Sequence, residues 1–381
     1  YQTSFQIKEA WQTSVSELTE DLQILKQNPL KIKDTDFLGR IFSHSLESGI
    51  WLGKTTGRHL LSFFNLPQYK PLIRQSRKHK EIIQAIIAGE NVAYEGREIF
   101  NAVFEELHHH SIDSTYTTKL KFPKLKSTVV LIPGIFNEMY RTPPFERGVA
   151  NTARLYDLKY FCCRTGGRKS PSENAEFIAE ALFEYIDKHP QEQLWLVAYS
   201  KGAIDTLHFI NNNPKFAEKH IIGLSTIAAP LRGSKRSDHF LFDLLIPNFL
   251  VNNSLLARTL NLEELRSIHE GIKSLSEKHQ ADWFKKNFHR FPNIFYTSIA
   301  FGQKWYRSHI WMLMAKMLFQ SKTDNDGVVD AENARFPEYI PSLDLGKINA
   351  HHLVGCRYSS FNQEAFFQAY IITLNYLGLL K

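Results

Sequence analysis

A chain of 381 residues with 43% hydrophobic and 22% charged side chains is too long for one small module, and its composition excludes wholesale disorder. The 46 basic against 39 acidic residues leave +7, a mild and dispersed excess that carries no nucleic-acid signature, so no nucleic-acid partner is expected. Three cysteines, two of them adjacent, exclude a disulfide scaffold and offer no metal-binding spacing.

Aromatic residues are plentiful, with 28 Phe and 15 Tyr, enough to fill a wide core or line an apolar pocket. No stretch reaches the roughly 20 uncharged apolar residues that a bilayer-spanning helix needs. The first residue is Tyr1, as expected of a chain trimmed at its start, so a removed signal or anchor stays compatible with the sequence. The compartment stays open, with a leaning towards cytoplasmic, and the oligomeric state is not legible.

Residues 1–115 read as helical throughout. Apolar residues recur at three- and four-residue spacing, as in Leu18, Leu22 and Leu25, or Ile82, Ile83, Ile86 and Ile87. Breaks fall at Asn28-Pro29, Leu66-Pro67 and Ala88-Gly89. The texture then changes. Residues 128–132 (TVVLI) form a β-branched run ending in Pro133-Gly134, as a strand buried on both faces does. Further strands are expected over 158–164, 194–198 (LWLVA), 221–228 and 293–300, with helices over 172–188, behind a Ser N-cap, and 201–211. Short apolar strands alternating with helices predict an α/β protein with a mostly parallel sheet. A helical insertion over about 233–291 and another helix over about 303–319 complete the pattern.

The most informative stretch is Ala198-Tyr199-Ser200-Lys201-Gly202. A buried strand runs into one serine and directly on into a helix. Small residues two before and two after Ser200 suit a turn where strand and helix backbones nearly touch. The helix start also points unpaired N–H groups at any negative charge forming beside the serine.

This stretch resembles the nucleophile elbow (G-x-S-x-G) of the α/β-hydrolases, particularly bacterial lipases and esterases. Three further segments carry the resemblance in chain order. Pro133-Gly134-Ile135-Phe136 is similar to their oxyanion loop, Ala229-Pro230-Leu231-Arg232-Gly233-Ser234 to their T-P-H-x-G-S stretch, and Asn325-Asp326-Gly327-Val328-Val329 to the N-D-G-[LV]-V segment holding the acid. Ala198 stands where the family has its first Gly, and Pro133 where His is common. The resemblance covers residues 116–381 as a catalytic domain and leaves the helical region 1–115 without a role.

It implies an α/β-hydrolase sheet with a helical cap insertion, and a serine ester hydrolase working through an acyl-enzyme. Ser200 would be nucleophile, Asp326 the acid in preference to Asp324 or Asp330, and His352 the base, with His351 as the alternative. The backbone N–H groups of Ile135 and Lys201 would form the oxyanion hole. The substrate would be a lipid or other apolar acyl ester, with the run over 240–250 of the insertion and Trp305, Trp311, Met312, Met314 and Met317 of the later helix either forming an acyl-binding cleft or packing the cap against the core. An acyltransferase of the same fold and a non-catalytic binding scaffold are the alternatives.

Other features are weaker. His108, His109 and His110 are contiguous and do not converge from one helical face, so no metal is expected, and no cofactor either. Residues 324–330 lack the glutamate and spacing of a calcium loop. The basic run Lys70, Arg74, Arg77, Lys78, His79 and Lys80 reads as a solvated helix face or a contact for a membrane surface. Lys201 and Asp205 read as surface residues of the helix after the elbow.

Overall fold

The computed structural model describes residues 16, 19–21, 23–24, 27, 76–91, 93–112, 116–135, 143–167, 169–234, 270–303, 323–357, 359 and 361–380. The expected cap run over 240–250, the helix over 303–319 beyond Gln303, Leu18, Leu22, Leu25, Lys70 and Arg74 lie outside them.

Six strands form one sheet: β1 (Thr128–Ile132), β2 (Tyr160–Cys162), β3 (Leu194–Tyr199), β4 (Ile221–Ile227), β5 (Phe295–Gly302) and β6 (Leu343–Asn349). Their spatial order is β2-β1-β3-β4-β5-β6, and every pairing is parallel. The helices are α1 (Arg77–Ala88), α2 (Gly96–Ile112), α3 (Glu146–Tyr156), α4 (Pro171–Lys188), α5 (Lys201–Asn212), α6 (Pro214–His220), α7 (Glu277–Asn287) and α8 (Gln363–Tyr376).

Strand side chains alternate between two cores, which is why the central strands read as unbroken apolar runs. Val129 and Leu131 of β1, with Trp195, Val197 and Tyr199 of β3, enter the core beneath α1, α2, α3 and α8. Val130 and Ile132, with Leu194, Leu196 and Ala198, enter the core beneath α4, α5, α6 and α7. Phe100, Phe104, Phe145, Phe301, Phe361 and Phe366 form one ring cluster in the first core, with Phe100 and Phe366 edge-to-face at 5.7 Å. Residues 77–112 of the helical N-terminal region thus help to cover one face of the sheet: Ile82, Phe100 and Val103 share that core with Phe366 and Tyr370.

Several expectations need correction. The strand expected over 158–164 spans only Tyr160–Cys162, at the sheet edge. The helix expected over 172–188 is α4, which starts one residue earlier at Pro171 because Ser170 closes a capping box with Glu173. β6 and α8 were not anticipated.

Among the described residues no helix is long and apolar enough to cross a membrane. Within the basic run, Arg77 pairs with Glu81, Lys78 with Glu98, and His79 Nδ1 lies 2.6 Å from Glu105.

Candidate active site

The loops that matter leave the carboxyl ends of the strands. β3 passes at Tyr199 into Ser200 and then immediately into α5. Ser200 adopts φ 54°, ψ −130°, a conformation costly for a residue with a Cβ. The Ser200 N–H donates to Ile227 O at 2.9 Å, tying the bend to the end of β4.

Two glycines allow the bend to pack. A Cβ on Gly202 would sit 2.2 Å from Pro133 O, and one on Gly134 would sit 2.8 Å from Ser200 Cβ and 2.9 Å from Tyr199 O. The segment after β1 therefore lies directly against the elbow, backbone to backbone. The N–H of Lys201, at the first position of α5, belongs to the set that a helix leaves unbonded.

His352 follows β6 in a short 3₁₀ turn, His352–Gly355. Its Nε2 lies 2.8 Å from Ser200 Oγ and its Nδ1 2.6 Å from Asp326 Oδ2. A carboxylate only accepts, so Nδ1 carries the hydrogen and donates to Asp326, which leaves Nε2 of the neutral ring to accept from the Ser200 hydroxyl. The other carboxylate oxygen, Asp326 Oδ1, accepts from the Val328 and Val329 N–H groups at 2.8 Å each. The His352 N–H in turn donates to Asp326 O at 2.9 Å, so acid and imidazole are joined through backbone as well as side chains. All three residues are buried.

The rival candidates are engaged elsewhere. Asp324 pairs with Lys347, and Asp330 accepts from the Thr323 hydroxyl at 2.6 Å. His351 Nδ1 accepts from the Leu353 N–H at 3.2 Å, capping the turn that carries its neighbour. Burial pushes the thiol pKa of both Cys162 and Cys163 up to about 12.

Several contributors escaped the sequence reading. The Tyr199 ring stacks on the His352 imidazole with centroids 5.3 Å apart, and Phe145 abuts Tyr199 edge-on at 5.4 Å. The turn bearing His352 is held from outside. Arg147 of α3 donates to Arg357 O and Ser359 O at 2.7 Å and to Phe361 O at 3.0 Å. Gln363 Nε2 donates to Val354 O and Cys356 O, both at 2.8 Å. None of these had a motif to announce it.

Lys201 and Asp205 are not surface residues: they are 0% and 1% exposed. Their four-residue spacing puts both on one face of α5, and that face packs on α4.

The three histidines at the end of α2 diverge. His108 stacks near Phe104, His109 stacks on Tyr116, and His110 Nδ1 bonds Tyr116 O at 2.5 Å. Among the described residues no group of three or more His, Cys, Asp or Glu is placed to hold a metal ion.

No protein-family model and no curated protein sequence matches the chain. Solved structures do. A metagenomic carboxyl esterase aligns over 78% of this chain and 91% of its own at 20% identity, with a TM-score of 0.56. Lipase BlEst2 of Bacillus licheniformis in its mature form aligns over 68% of this chain and 95% of its own at 18% identity, TM-score 0.46. Phospholipase PlaB of Legionella pneumophila covers 55% of this chain and 45% of its own at 12% identity, TM-score 0.36. The parallel six-stranded sheet, the strand–serine–helix bend at its centre and the match to the esterase together identify the architecture as an α/β-hydrolase fold.

Proposed function

We propose that this protein is a serine hydrolase of carboxylic esters, working through an acyl-enzyme on Ser200. The observation that carries the reading is the unbroken relay from Ser200 Oγ to His352 Nε2 at 2.8 Å and from His352 Nδ1 to Asp326 Oδ2 at 2.6 Å, set on a strained elbow. The carboxyl esterase with the same fold supports it as an analogy of architecture.

In the first half-reaction Ser200 Oγ attacks the ester carbonyl carbon while its proton passes to His352 Nε2. Asp326 holds the ring in the required tautomer and stabilises the imidazolium. The carbonyl oxygen gains negative charge and is met by the N–H groups of Lys201 and Ile135, each typically worth about 3–4 kcal/mol in such sites. Collapse breaks the carbon–oxygen bond to the alcohol, which leaves with the proton from His352. Water then attacks the acyl-enzyme by the same route, its proton going to His352 and back to Ser200 as the acid departs.

The preferred substrates carry apolar acyl chains. Support comes from the aromatic- and leucine-rich run over 240–250, which has the composition of an acyl-binding cap. A nitrophenyl ester series of rising acyl length tests both parts. Turnover abolished by Ser200→Ala is expected, with kcat/KM rising beyond acetate. Absence of turnover on every ester would overturn the hydrolase reading, and strict acetate preference would overturn the apolar-acyl part.

A further inference from the structure

Lys201 sits where a cation is doubly disfavoured. Its side chain is fully buried, and it lies in the first turn of α5, the end of a helix that already bears partial positive charge. The ammonium is met one turn along by Asp205, with Nζ 2.7 Å from Oδ1 and 3.0 Å from Oδ2. Asn174 of α4, 0% exposed, donates Nδ2–H to Asp205 Oδ2 at 2.8 Å. The same amide grips both backbone polar groups of one residue beyond β2: Asn174 Nδ2–H donates to Gly166 O and the Gly166 N–H donates to Asn174 Oδ1, both at 2.9 Å. A chain of polar contacts, buried up to its last link, therefore runs from the residue next to Ser200, through two helices, to the loop at the carboxyl end of β2, two strands away from β3 in the sheet.

An ion pair in such a place is weak evidence for stability, because apolar residues of similar volume commonly leave a fold as stable or more so. Its position gives it another use. Lys201 shares its peptide with Ser200, and its own N–H is the donor assigned above to the oxyanion. Anchoring Nζ restrains Cα of Lys201, and with it the orientation of that peptide. Ser200 holds a backbone conformation that persists only when its surroundings over-determine it.

We infer that Lys201, Asp205 and Asn174 are positioning residues, a buried ion pair with an amide brace that aims the Ser200 hydroxyl and the Lys201 N–H. This rests on the hydrolase reading and deepens it. The ammonium transfers no proton in the reaction; it is occupied by the carboxylate, and the unit acts through the elbow backbone.

The test uses the full chain and a nitrophenyl ester that the wild type turns over, with kcat and KM measured well below each variant's Tm. Asn174→Ala removes the brace and leaves the ion pair. The double variant Lys201→Met/Asp205→Leu removes both charges and keeps the volume. The expected result is a fall in kcat of about tenfold for Asn174→Ala and about 10²-fold for the double variant, with KM within about threefold of wild type. A Tm near wild type in the double variant, with kcat still depressed, separates aiming from mere support. Wild-type kcat in either folded variant would overturn the inference. If the double variant does not fold, Asn174→Ala decides alone. A wild type that neither hydrolyses esters nor reacts with a fluorophosphonate at Ser200 sinks the hydrolase reading itself; an active wild type with unimpaired variants sinks only the positioning role.

Discussion

Replacing Gly134 by alanine probes the contact between the segment after β1 and the elbow. The new Cβ would start 2.8 Å from Ser200 Cβ, 2.9 Å from Tyr199 O and 3.4 Å from Lys201 N, against an ordinary contact of 3.4–4 Å. None of these is the far end of a flexible side chain, so the two backbones must separate by roughly 0.6 Å, beyond the ~0.5 Å within which such sites stay productive. That separation pulls the Ile135 N–H away from the oxygen it is proposed to meet. Losing one donor costs about 3–4 kcal/mol, so kcat should fall 10²- to 10³-fold. KM should change little, because the donor acts on charge that exists only in the transition state. The overpacking should also lower stability by about 1–3 kcal/mol, so turnover of a short nitrophenyl ester is measured well below the variant's Tm. A Gly134→Ala protein with kcat within about threefold of wild type would refute the placement of residues 133–135 beside the reacting carbonyl.

Three further outcomes follow from the same geometry. Alanine at His352 should lower kcat by about 10⁴-fold or more, while alanine at His351, whose Nδ1 only caps a turn, should stay within about tenfold; steady-state kinetics on the pair checks it. Burial, with His279 and Lys201 nearby, lowers His208 from 6.5 to about 4. Because the folded value lies below the unfolded one, His208 costs nothing above about pH 6.5, and stability drains as pH falls towards 4, by about 3 kcal/mol in all. His208→Phe keeps the stack on Trp283 without the titration, so its urea midpoint should drop less than wild type between pH 7 and pH 4; parallel curves would contradict this. Finally, Phe366→Ala opens the centre of the ring cluster under α8 and should cost about 3–5 kcal/mol in denaturant unfolding.

The parts legible in the sequence are those where burial acts on both sides of a strand. β1 and β3 are buried at every position because both sheet faces are covered, so their β-branched and apolar runs stand out, as does the abrupt strand-to-helix turn at Ser200. β6 is hidden because it is an edge strand. Asp344 and Lys347 are partly exposed, Gly346 takes φ 84°, and the pairing with β5 slips, so neither alternation nor an apolar run survives. α8 fails for the opposite reason: most of its residues are buried, which erases the helical period that would reveal it. Lys201 and Asp205 were misread because charged side chains are seldom buried unless paired, and their pairing shows in sequence only as a four-residue spacing common on exposed helices. Neither Arg147 nor Gln363 acts through a local pattern, since Arg147 binds carbonyls of Arg357, Ser359 and Phe361 and Gln363 those of Val354 and Cys356.

The central proposal is a serine hydroxyl activated by His352 and Asp326, and covalent capture tests it most directly. Wild-type protein is treated with a fluorophosphonate and analysed by intact mass and peptide mapping, beside Ser200→Ala and His352→Ala. One adduct per chain, on Ser200, absent from Ser200→Ala and formed far more slowly in His352→Ala, is the predicted result. A wild type that stays unmodified, or an adduct on any other residue, would contradict it.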